Sequence, residues 1–289
     1  MDNTINFLGI GAQKAGTSWL YKMLKKHPDI WLPPIKELHY FDRNKHYPSP
    51  SFLHTDNCLD RLNSYEINDI EFKKKLVYNL MKSIELNDIN QIKWYLKYFL
   101  STYNDTWYKS LFENIENLSG EITPAYSFLN IQDIQRIYNI NPKIKLILIL
   151  RNPIDRAWSQ ISFYIRIKQL PQNITIKEMK TFIDSKEQIL RGDYIKIINN
   201  WLQIFPKEQI HIGFYDEIML NPQNFLNKIF SFLNIQNITY EESFLTQRVN
   251  ATKAEIMPIE IKEYLKEIYE EEIRKLSQLI HNDYTNQWI

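Results

Sequence analysis

Short apolar runs alternate with amphipathic segments along most of this chain. Residues 5–10 and 145–150 are almost continuously apolar, which is typical of strands that are buried on both faces. Residues 209–215 are a third strand candidate, and 30–32 and 118–126 each contain a shorter one. Between these runs, apolar residues recur at steps of three and four, as in helices that cover a sheet. This alternation predicts an α/β fold with a central parallel sheet flanked by helices.

A long helical stretch interrupts the alternation at about residues 60–115. Apolar residues recur there at helical spacing, no glycine breaks the pattern, and no linker-like composition flanks it. We therefore expect an inserted helical lobe within one domain that spans residues 1–289. At 289 residues, the chain is long enough to bury one large α/β core.

Charge and cysteine content exclude several classes of protein. The 35 basic and 34 acidic residues leave a net charge of +1, so nothing in the overall charge predicts a nucleic-acid partner. The single cysteine, Cys58, excludes an internal disulfide framework and fits a reducing compartment. The sequence shows no secretory leader and no membrane span, since no basic region precedes an apolar run and no apolar run approaches 18 residues. We expect a cytoplasmic protein.

A glycine-containing loop joins the first strand to the first helix and reads Gly11-Ala-Gln-Lys-Ala-Gly16-Thr-Ser18. Loop amides and the unpaired N–H groups of the first helical turn together form an anion site. The spacing of Gly11 and Gly16 fits a Walker A loop, but Thr17 stands at the lysine position and the lysine is Lys14. A nucleotide kinase or other NTPase, a non-catalytic nucleotide-binding protein and a plain strand–helix turn remain compatible with this loop.

A second candidate site follows the most apolar strand of the chain. Arg151 comes directly after residues 145–150, at the end where open α/β sheets bind ligands, and Ser159 lies in the next predicted helix. Together they can hold one phosphate. The alternative is an arginine that caps a neighbouring helix and a serine that fills a helix face. A P-loop NTPase normally places an aspartate after such a strand to manage Mg²⁺, so Arg151 argues against that class.

A third candidate site is the loop that contains Glu37, His39 and Asp42. A carboxylate such as Glu37 can take the proton of a hydroxyl acceptor, and His39 can orient either the carboxylate or the acceptor. The alternative is a polar loop whose charges pair with Lys36 and Arg43. Histidines occur nearby with Cys58, but their spacing matches no zinc motif, so we expect no metal.

The loop from Gly11 to Ser18 resembles the 5′-phosphosulfate loop of sulfotransferases that use 3′-phosphoadenosine 5′-phosphosulfate (PAPS). Arg151-x₇-Ser159 is similar to the element of that family that binds the 3′-phosphate. The resemblance implies PAPS as donor, adenosine 3′,5′-bisphosphate as product and a P-loop-type sheet. It also implies that the following residues bind the cofactor: Gln13, Lys14, Ala15, Gly16, Thr17, Ser18, Arg151, Ser159 and, in a late basic loop, Lys253.

Two further segments resemble heparan-sulfate-type sulfotransferases. Residues 37–42 are similar to their E-x-H-[FY]-F-D element, whose glutamate is the catalytic base, and residues 120–126 to their G-E-K-[ST]-P-x-Y element. The resemblance implies catalytic roles for Lys14, Glu37 and His39. Ile122 is a departure, because those glycan enzymes usually have a catalytic lysine there. This change removes one cation and puts a glycosaminoglycan acceptor in doubt.

The sequence thus predicts a PAPS-dependent sulfotransferase that needs no metal. Loop amides, Thr17 and Ser18 would hold the 5′-phosphate, and Lys14 would neutralise charge that develops during in-line transfer. Glu37 would take the proton of a hydroxyl, or of an amine, on a saccharide or small-molecule acceptor. We interpret Arg191-Gly-Asp193 as the entry to a helix and place Tyr194 as a candidate for the acceptor cleft.

Overall fold

The computed structural model describes residues 5–48, 55–247 and 256–288. Its centre is a five-stranded sheet in the order β2-β3-β1-β4-β5, and every neighbouring pair is parallel. The strands are β1 (Phe7–Gly11), β2 (Ile30–Trp31), β3 (Leu118–Ile122), β4 (Lys145–Leu150) and β5 (Ile210–Phe214). The predicted α/β fold with a parallel sheet is confirmed.

Helices surround this sheet in the described parts of the chain. They are α1 (Thr17–Leu24), α2 (Cys58–Asn63), α3 (Ile67–Glu85), α4 (Ile89–Phe99), α5 (Asp105–Ser110), α6 (Ile131–Ile140), α7 (Pro153–Arg166), α8 (Ile176–Ile183), α9 (Lys186–Gly192), α10 (Tyr194–Leu202), α11 (Tyr215–Leu220), α12 (Pro222–Leu233), α13 (Glu242–Leu245), α14 (Ile259–Ile280) and α15 (Asp283–Asn286). Short 3₁₀ helices cover Pro124–Phe128 and Lys207–Gln209. Within these described segments, no helix has both the length and the apolar character needed to cross a bilayer.

Strand β1 lies at the middle of the sheet and is buried along its whole length. Leu8 pairs with Glu121 of β3 on one side and with Leu146 of β4 on the other. The chain leaves β1 toward β2 and leaves β4 toward β5, so the strand order reverses between β1 and β4. Such a switch point opens a crevice at the carboxyl ends of the strands, where ligands of open α/β sheets bind.

Helix α7 begins where the sequence predicts it. The side chain of Asn152 accepts a hydrogen bond from the Ile154 amide at 3.0 Å, and Pro153 occupies the first turn. The cap satisfies an amide that the helix cannot pair internally, and proline is favourable there because its missing N–H costs nothing. The helix therefore starts directly after Arg151, at the carboxyl edge of the sheet.

Helices α2 to α5 lie between β2 and β3, inside the range predicted as a helical insertion. Buried aromatic rings hold this lobe together; Phe72 of α3 packs against Phe99 of α4 with ring centroids 5.2 Å apart. Its contact with the rest of the molecule includes a hydrogen bond of 3.4 Å that the Tyr98 hydroxyl donates to the Leu38 carbonyl. The lobe thus braces the loop that carries Glu37 and His39. That residues 1–289 form one domain stays a prediction.

Candidate functional site

Two loops at the carboxyl edge of the sheet are joined by direct hydrogen bonds. The amide of Ala12, just after β1, donates to the Ile149 carbonyl of β4 at 2.8 Å. The Arg151 guanidinium, just after β4, donates from Nη1 to the Lys14 carbonyl at 3.1 Å. The structure therefore brings together the glycine loop and Arg151, which the sequence predicts to bind two different phosphates.

The glycine loop enters α1 through Gly16, whose φ of 93° lies in the left-handed region. A Cβ atom there would also lie 3.0 Å from Ile218 and 3.1 Å from Tyr215, so both backbone conformation and space require glycine. In the described chain, no side chain caps the start of α1 and its first turn contains no acidic residue. The positive end of the helix dipole is thus left for an external anion.

Lys14 lies among other cations. Its Nζ atom is 4.0 Å from the centroid of the Phe163 ring, an electrostatic contact with the π face. Burial, followed by the charges of Arg166, Arg151 and Arg191, lowers the pKa of Lys14 to about 8, while the charge of Glu37 opposes the shift. An incoming anion would relieve this repulsion and favour the charged lysine.

Arg151 is held in place by its surroundings yet keeps hydrogen-bonding capacity. Its guanidinium carbon lies 4.5 Å from the centroid of the Tyr215 ring, and its carbonyl accepts a hydrogen bond from the Tyr194 hydroxyl at 2.9 Å. The Nε atom is buried without a hydrogen-bond partner among the described residues. Buried polar groups are nearly always paired, so this unpaired donor fits the 3′-phosphate that the resemblance assigns to Arg151.

Three side chains lie at increasing distance from Arg151 along one face of helix α7. Ser159 and Phe163 are four residues apart and Arg166 follows three residues later, so the three share a helix face. The Arg166 guanidinium carbon lies 5.2 Å from the Phe163 ring centroid. Ser159 thus lies nearest Arg151 along the helix, and Phe163, which contacts Lys14, lies about one turn further on.

The third candidate group forms a chain of carboxylate, imidazole and carboxylate. His39 Nδ1 lies 2.7 Å from the buried Asp42 Oδ2, and His39 Nε2 lies 3.5 Å from Glu37 Oε2. Lys36 also pairs with the Glu37 carboxylate. Glu37 and His39 both adopt left-handed backbone conformations, with φ of 64° and 54°, which side chains other than glycine rarely take.

These contacts set the protonation states of the pair. Burial alone would raise the pKa of Glu37, but the hydrogen bond from His39 and the charge of Lys36 outweigh it and lower this pKa to about 2. Burial would lower the pKa of His39, but Asp42 and Glu37 outweigh it and raise this pKa to about 10. At neutral pH, Glu37 is therefore an ionised carboxylate, whereas His39 is an imidazolium.

Ile122 belongs to the core rather than to the site. Its side chain is 1% exposed, and a Cβ atom added at Gly9 on the neighbouring strand would lie 2.8 Å from Ile122 Cγ1.

The helical lobe offers another cation at this side of the site. Burial lowers the pKa of Lys75 on α3, and the charges of Glu71 and Glu37 oppose that shift, so Lys75 lies within electrostatic range of Glu37.

Other predicted residues have different outcomes. The interpretation of Arg191-Gly-Asp193 as a helix entry is confirmed for Asp193, which caps α10, whereas Arg191 and Gly192 are the last residues of α9. The placement of Tyr194 in the acceptor cleft is wrong: this side chain is 3% exposed and binds the Arg151 carbonyl from inside the fold. Gln13 has a buried side-chain oxygen without a partner among the described residues. Lys253 lies outside the described residues.

Three residues of this region are not among the site residues predicted from the sequence. Arg166 and Arg191 act electrostatically on Lys14, and Glu121, buried on β3, hydrogen-bonds to the Leu38 amide between Glu37 and His39. The indication of Glu121 in the sequence is its position in residues 120–126, which resemble an element of heparan-sulfate-type sulfotransferases. Among the residues that the structure describes, no group of three or more His, Cys, Asp or Glu side chains could hold a metal ion.

Comparison with known families gives one match that covers most of the chain. The family model described as "Sulfotransferase domain" matches residues 6–275. Among solved structures, the chain resembles a sulfotransferase from Alicyclobacillus acidocaldarius, with 22% identity, a TM-score of 0.66 and 98% coverage of both chains. It also resembles the sulfotransferase domain from the curacin biosynthetic pathway, with 16% identity, a TM-score of 0.53 and coverage of 85% and 78%. These likenesses show the fold.

Curated relatives match this chain with sequence identities only slightly above those of the solved structures. The membrane-associated sulfotransferase kil1 of Dictyostelium discoideum is 24% identical over 96% of this chain and 66% of its own length. Heparan sulfate glucosamine 3-O-sulfotransferase 5 of Mus musculus is 27% identical over 78% of this chain and 52% of its own length. The chain thus spans between about half and two-thirds of the length of these two relatives. The expectation of a cytoplasmic protein is wrong, since the relative from Dictyostelium is membrane-associated.

Proposed function

This chain belongs to the sulfotransferase domain family and is a transferase enzyme, and from that premise we propose that it moves a sulfuryl group from PAPS to a hydroxyl of a carbohydrate. The observation that carries the proposal is the meeting of Lys14 and Glu37. They come from different loops, and the charge of Glu37 acts directly on Lys14. The two groups therefore lie within electrostatic range of each other, and we assign the cation to the transferred group and the carboxylate to the acceptor proton.

The donor side is assigned to the glycine loop and to α7. The loop amides with Thr17 and Ser18 hold the 5′-phosphate at the positive end of α1. Arg151 and Ser159 hold the 3′-phosphate, in keeping with the buried Nε of Arg151 that lacks a partner among the described residues. The hydrogen bond from Arg151 to the Lys14 carbonyl fixes the two phosphate sites relative to each other.

Glu37 and Lys14 divide the chemistry between the acceptor and the leaving group. As the acceptor oxygen forms its bond to sulfur, Glu37 takes the acceptor proton. The bond between sulfur and the bridging phosphate oxygen breaks, and Lys14 stabilises the negative charge that collects on that oxygen. His39 stays protonated between Glu37 and Asp42 and orients the base. For transfer to begin, the acceptor must compete with Lys36 for the Glu37 carboxylate.

The carbohydrate acceptor is supported by relatives and by cations near Glu37 and Lys14. One relative is a heparan sulfate glucosamine 3-O-sulfotransferase, and another is carbohydrate sulfotransferase 15 of Mus musculus, which is 22% identical over 86% of this chain. Ile122 supplies no cation, but Lys75 of the lobe and Arg166 of α7 are exposed and act electrostatically on Glu37 and Lys14. These cations favour a saccharide that bears anionic groups over a neutral one.

Transfer of ³⁵S from labelled PAPS tests the proposal directly. Heparosan-like chains, chondroitin, neutral oligosaccharides and simple alcohols serve as acceptors, and Glu37→Gln serves as the impaired control. We expect label in at least one saccharide and transfer about 10²–10⁴-fold slower with the variant. ATP with Mg²⁺ is the competing ligand, because a kinase or other NTPase would bind it in preference to PAPS. Hydrolysis of ATP without any use of PAPS would overturn the proposal.

A further inference from the structure

A buried carboxylate lies beneath the loop of the proposed base. Glu121 on β3 is 1% exposed and accepts hydrogen bonds from the Tyr108 hydroxyl at 2.5 Å and the Tyr126 hydroxyl at 3.0 Å, both on Oε1. Its other oxygen accepts from the Thr123 hydroxyl at 2.7 Å and from the Leu38 amide at 3.3 Å. A buried charge is tolerated when donors satisfy it in this way.

Two of these donors also hold the backbone of the loop. The Thr123 hydroxyl accepts a second hydrogen bond from the Leu38 amide at 3.0 Å, and the Tyr126 hydroxyl accepts one from the Tyr40 amide at 3.0 Å. Leu38 and Tyr40 alternate along the chain with Glu37 and His39. The network that starts at Glu121 therefore fixes the amides on either side of His39.

The loop needs such support because its backbone is strained. Glu37 and His39 have φ of 64° and 54°, and residues with side chains persist in the left-handed region only where the surrounding structure fixes them. Without the hydrogen bonds to Leu38 and Tyr40, rotation of this backbone would carry the Glu37 carboxylate away from Lys14. Displacement of a reacting group by about 1 Å can lower the rate about 10²-fold.

We propose that Glu121 is a positioning residue that fixes the Glu37 carboxylate. It holds the Leu38 amide both directly and through the Thr123 hydroxyl, and it holds the Tyr40 amide through the Tyr126 hydroxyl. The inference rests on the proposed function of Glu37 as base. Glu121 itself reaches neither donor nor acceptor, since it is enclosed beneath the loop. A carboxylate suits this position because it only accepts hydrogen bonds, whereas an amide would turn an N–H toward these donors.

Two tyrosines provide a matched test. Tyr108→Phe and Tyr126→Phe each remove one buried hydroxyl that donates to Glu121 Oε1, but only Tyr126 also accepts from the Tyr40 amide. We expect Tyr126→Phe to lower kcat about 10- to 100-fold with KM for PAPS and affinity for adenosine 3′,5′-bisphosphate unchanged. Tyr108→Phe should keep kcat within about 3-fold while its melting temperature falls comparably.

Hydrogen exchange supplies a readout that does not depend on catalysis. With adenosine 3′,5′-bisphosphate present, the Tyr40 amide should exchange faster in Tyr126→Phe than in the parental protein or in Tyr108→Phe. Equal exchange and equal kcat in the two variants would overturn the positioning role while leaving the proposed function intact. A parental protein without PAPS-dependent transfer would instead refute the proposed function, and the exchange comparison would still decide whether Tyr126 holds the loop.

Discussion

The Arg151 guanidinium donates a hydrogen bond to the backbone carbonyl of Lys14 at 3.1 Å. This bond joins the loop after β4 to the loop after β1, so the proposed sites for the 3′-phosphate and the 5′-phosphosulfate form one unit. A change at Arg151 should therefore disturb Lys14 as well as the 3′-phosphate, and the two effects can be separated by the choice of ligand.

Arg151→Ala should erase the preference for adenosine 3′,5′-bisphosphate over AMP. Only the bisphosphate carries the 3′-phosphate, and a lost hydrogen bond to a charged group costs about 1.5–3 kcal/mol. Calorimetry on both ligands checks this, with Arg274→Ala as the control because Arg274 is an exposed arginine of α14 that pairs with Glu270. Equal affinity of the parental protein for both nucleotides would refute the assignment of Arg151.

Lys14→Met should lower kcat more than it weakens binding of the bisphosphate. Methionine keeps an apolar chain against Phe163 but removes the charge that stabilises the leaving group, an interaction that strengthens in the transition state. Steady-state kinetics and calorimetry measure the two effects, with Lys26→Met, an exposed lysine beyond α1, as the control. Full turnover in Lys14→Met would make Lys14 a bystander.

Glu37→Gln should reduce kcat about 10²–10⁴-fold, the contribution of a positioned base, and still bind the bisphosphate normally. His39→Ala should cost less, because His39 is protonated and orients the base without accepting the proton. If Glu37→Gln keeps parental activity on the best acceptor, another group must take the proton.

The pH dependence of kcat/KM should have an alkaline limb set by Lys14. Its pKa is lowered to about 8, so the charged lysine is lost as the pH rises through that value. Glu37, with a pKa of about 2, stays ionised over the neutral and mildly acidic range and adds no acid limb there. Arg166→Gln removes a cation that lowers the pKa of Lys14, so it should move the limb to higher pH. A limb that stays in place would contradict this coupling.

Ile122→Lys should destabilise the fold rather than supply the lysine of related glycan enzymes. The side chain is enclosed against Gly9, and an unpaired buried charge costs several kcal/mol. Ile122→Val removes one methylene at the same place and should cost about 0.5–1.5 kcal/mol. Urea unfolding of both variants measures the difference. A lysine variant that is as stable as the valine variant would show that the ammonium reaches water or an anion.

Local patterns were enough to predict the sheet, the glycine loop and the start of α7. Apolar runs report burial, and Asn152-Pro153 after a strand predicts a helix start by its own chemistry. The support of the Glu37 loop could not be predicted in this way, because Leu38 and Glu121 are 83 positions apart in the chain. The same limit explains the wrong placement of Tyr194, whose hydroxyl binds a carbonyl 43 positions away. The cations around Lys14 likewise meet only in the folded chain.

The lobe formed by α2 to α5 enters the chain between β2 and β3, whereas the residues assigned to the donor follow β1 and β4. Lys75 and the Tyr98 bond to the Leu38 carbonyl are among the places where this lobe meets the loop of Glu37 and His39. Substitutions within this one continuous segment can therefore change acceptor preference without altering the segments that bind the nucleotide. Exchange of this segment between homologues is thus a direct route to new acceptors with an unchanged donor.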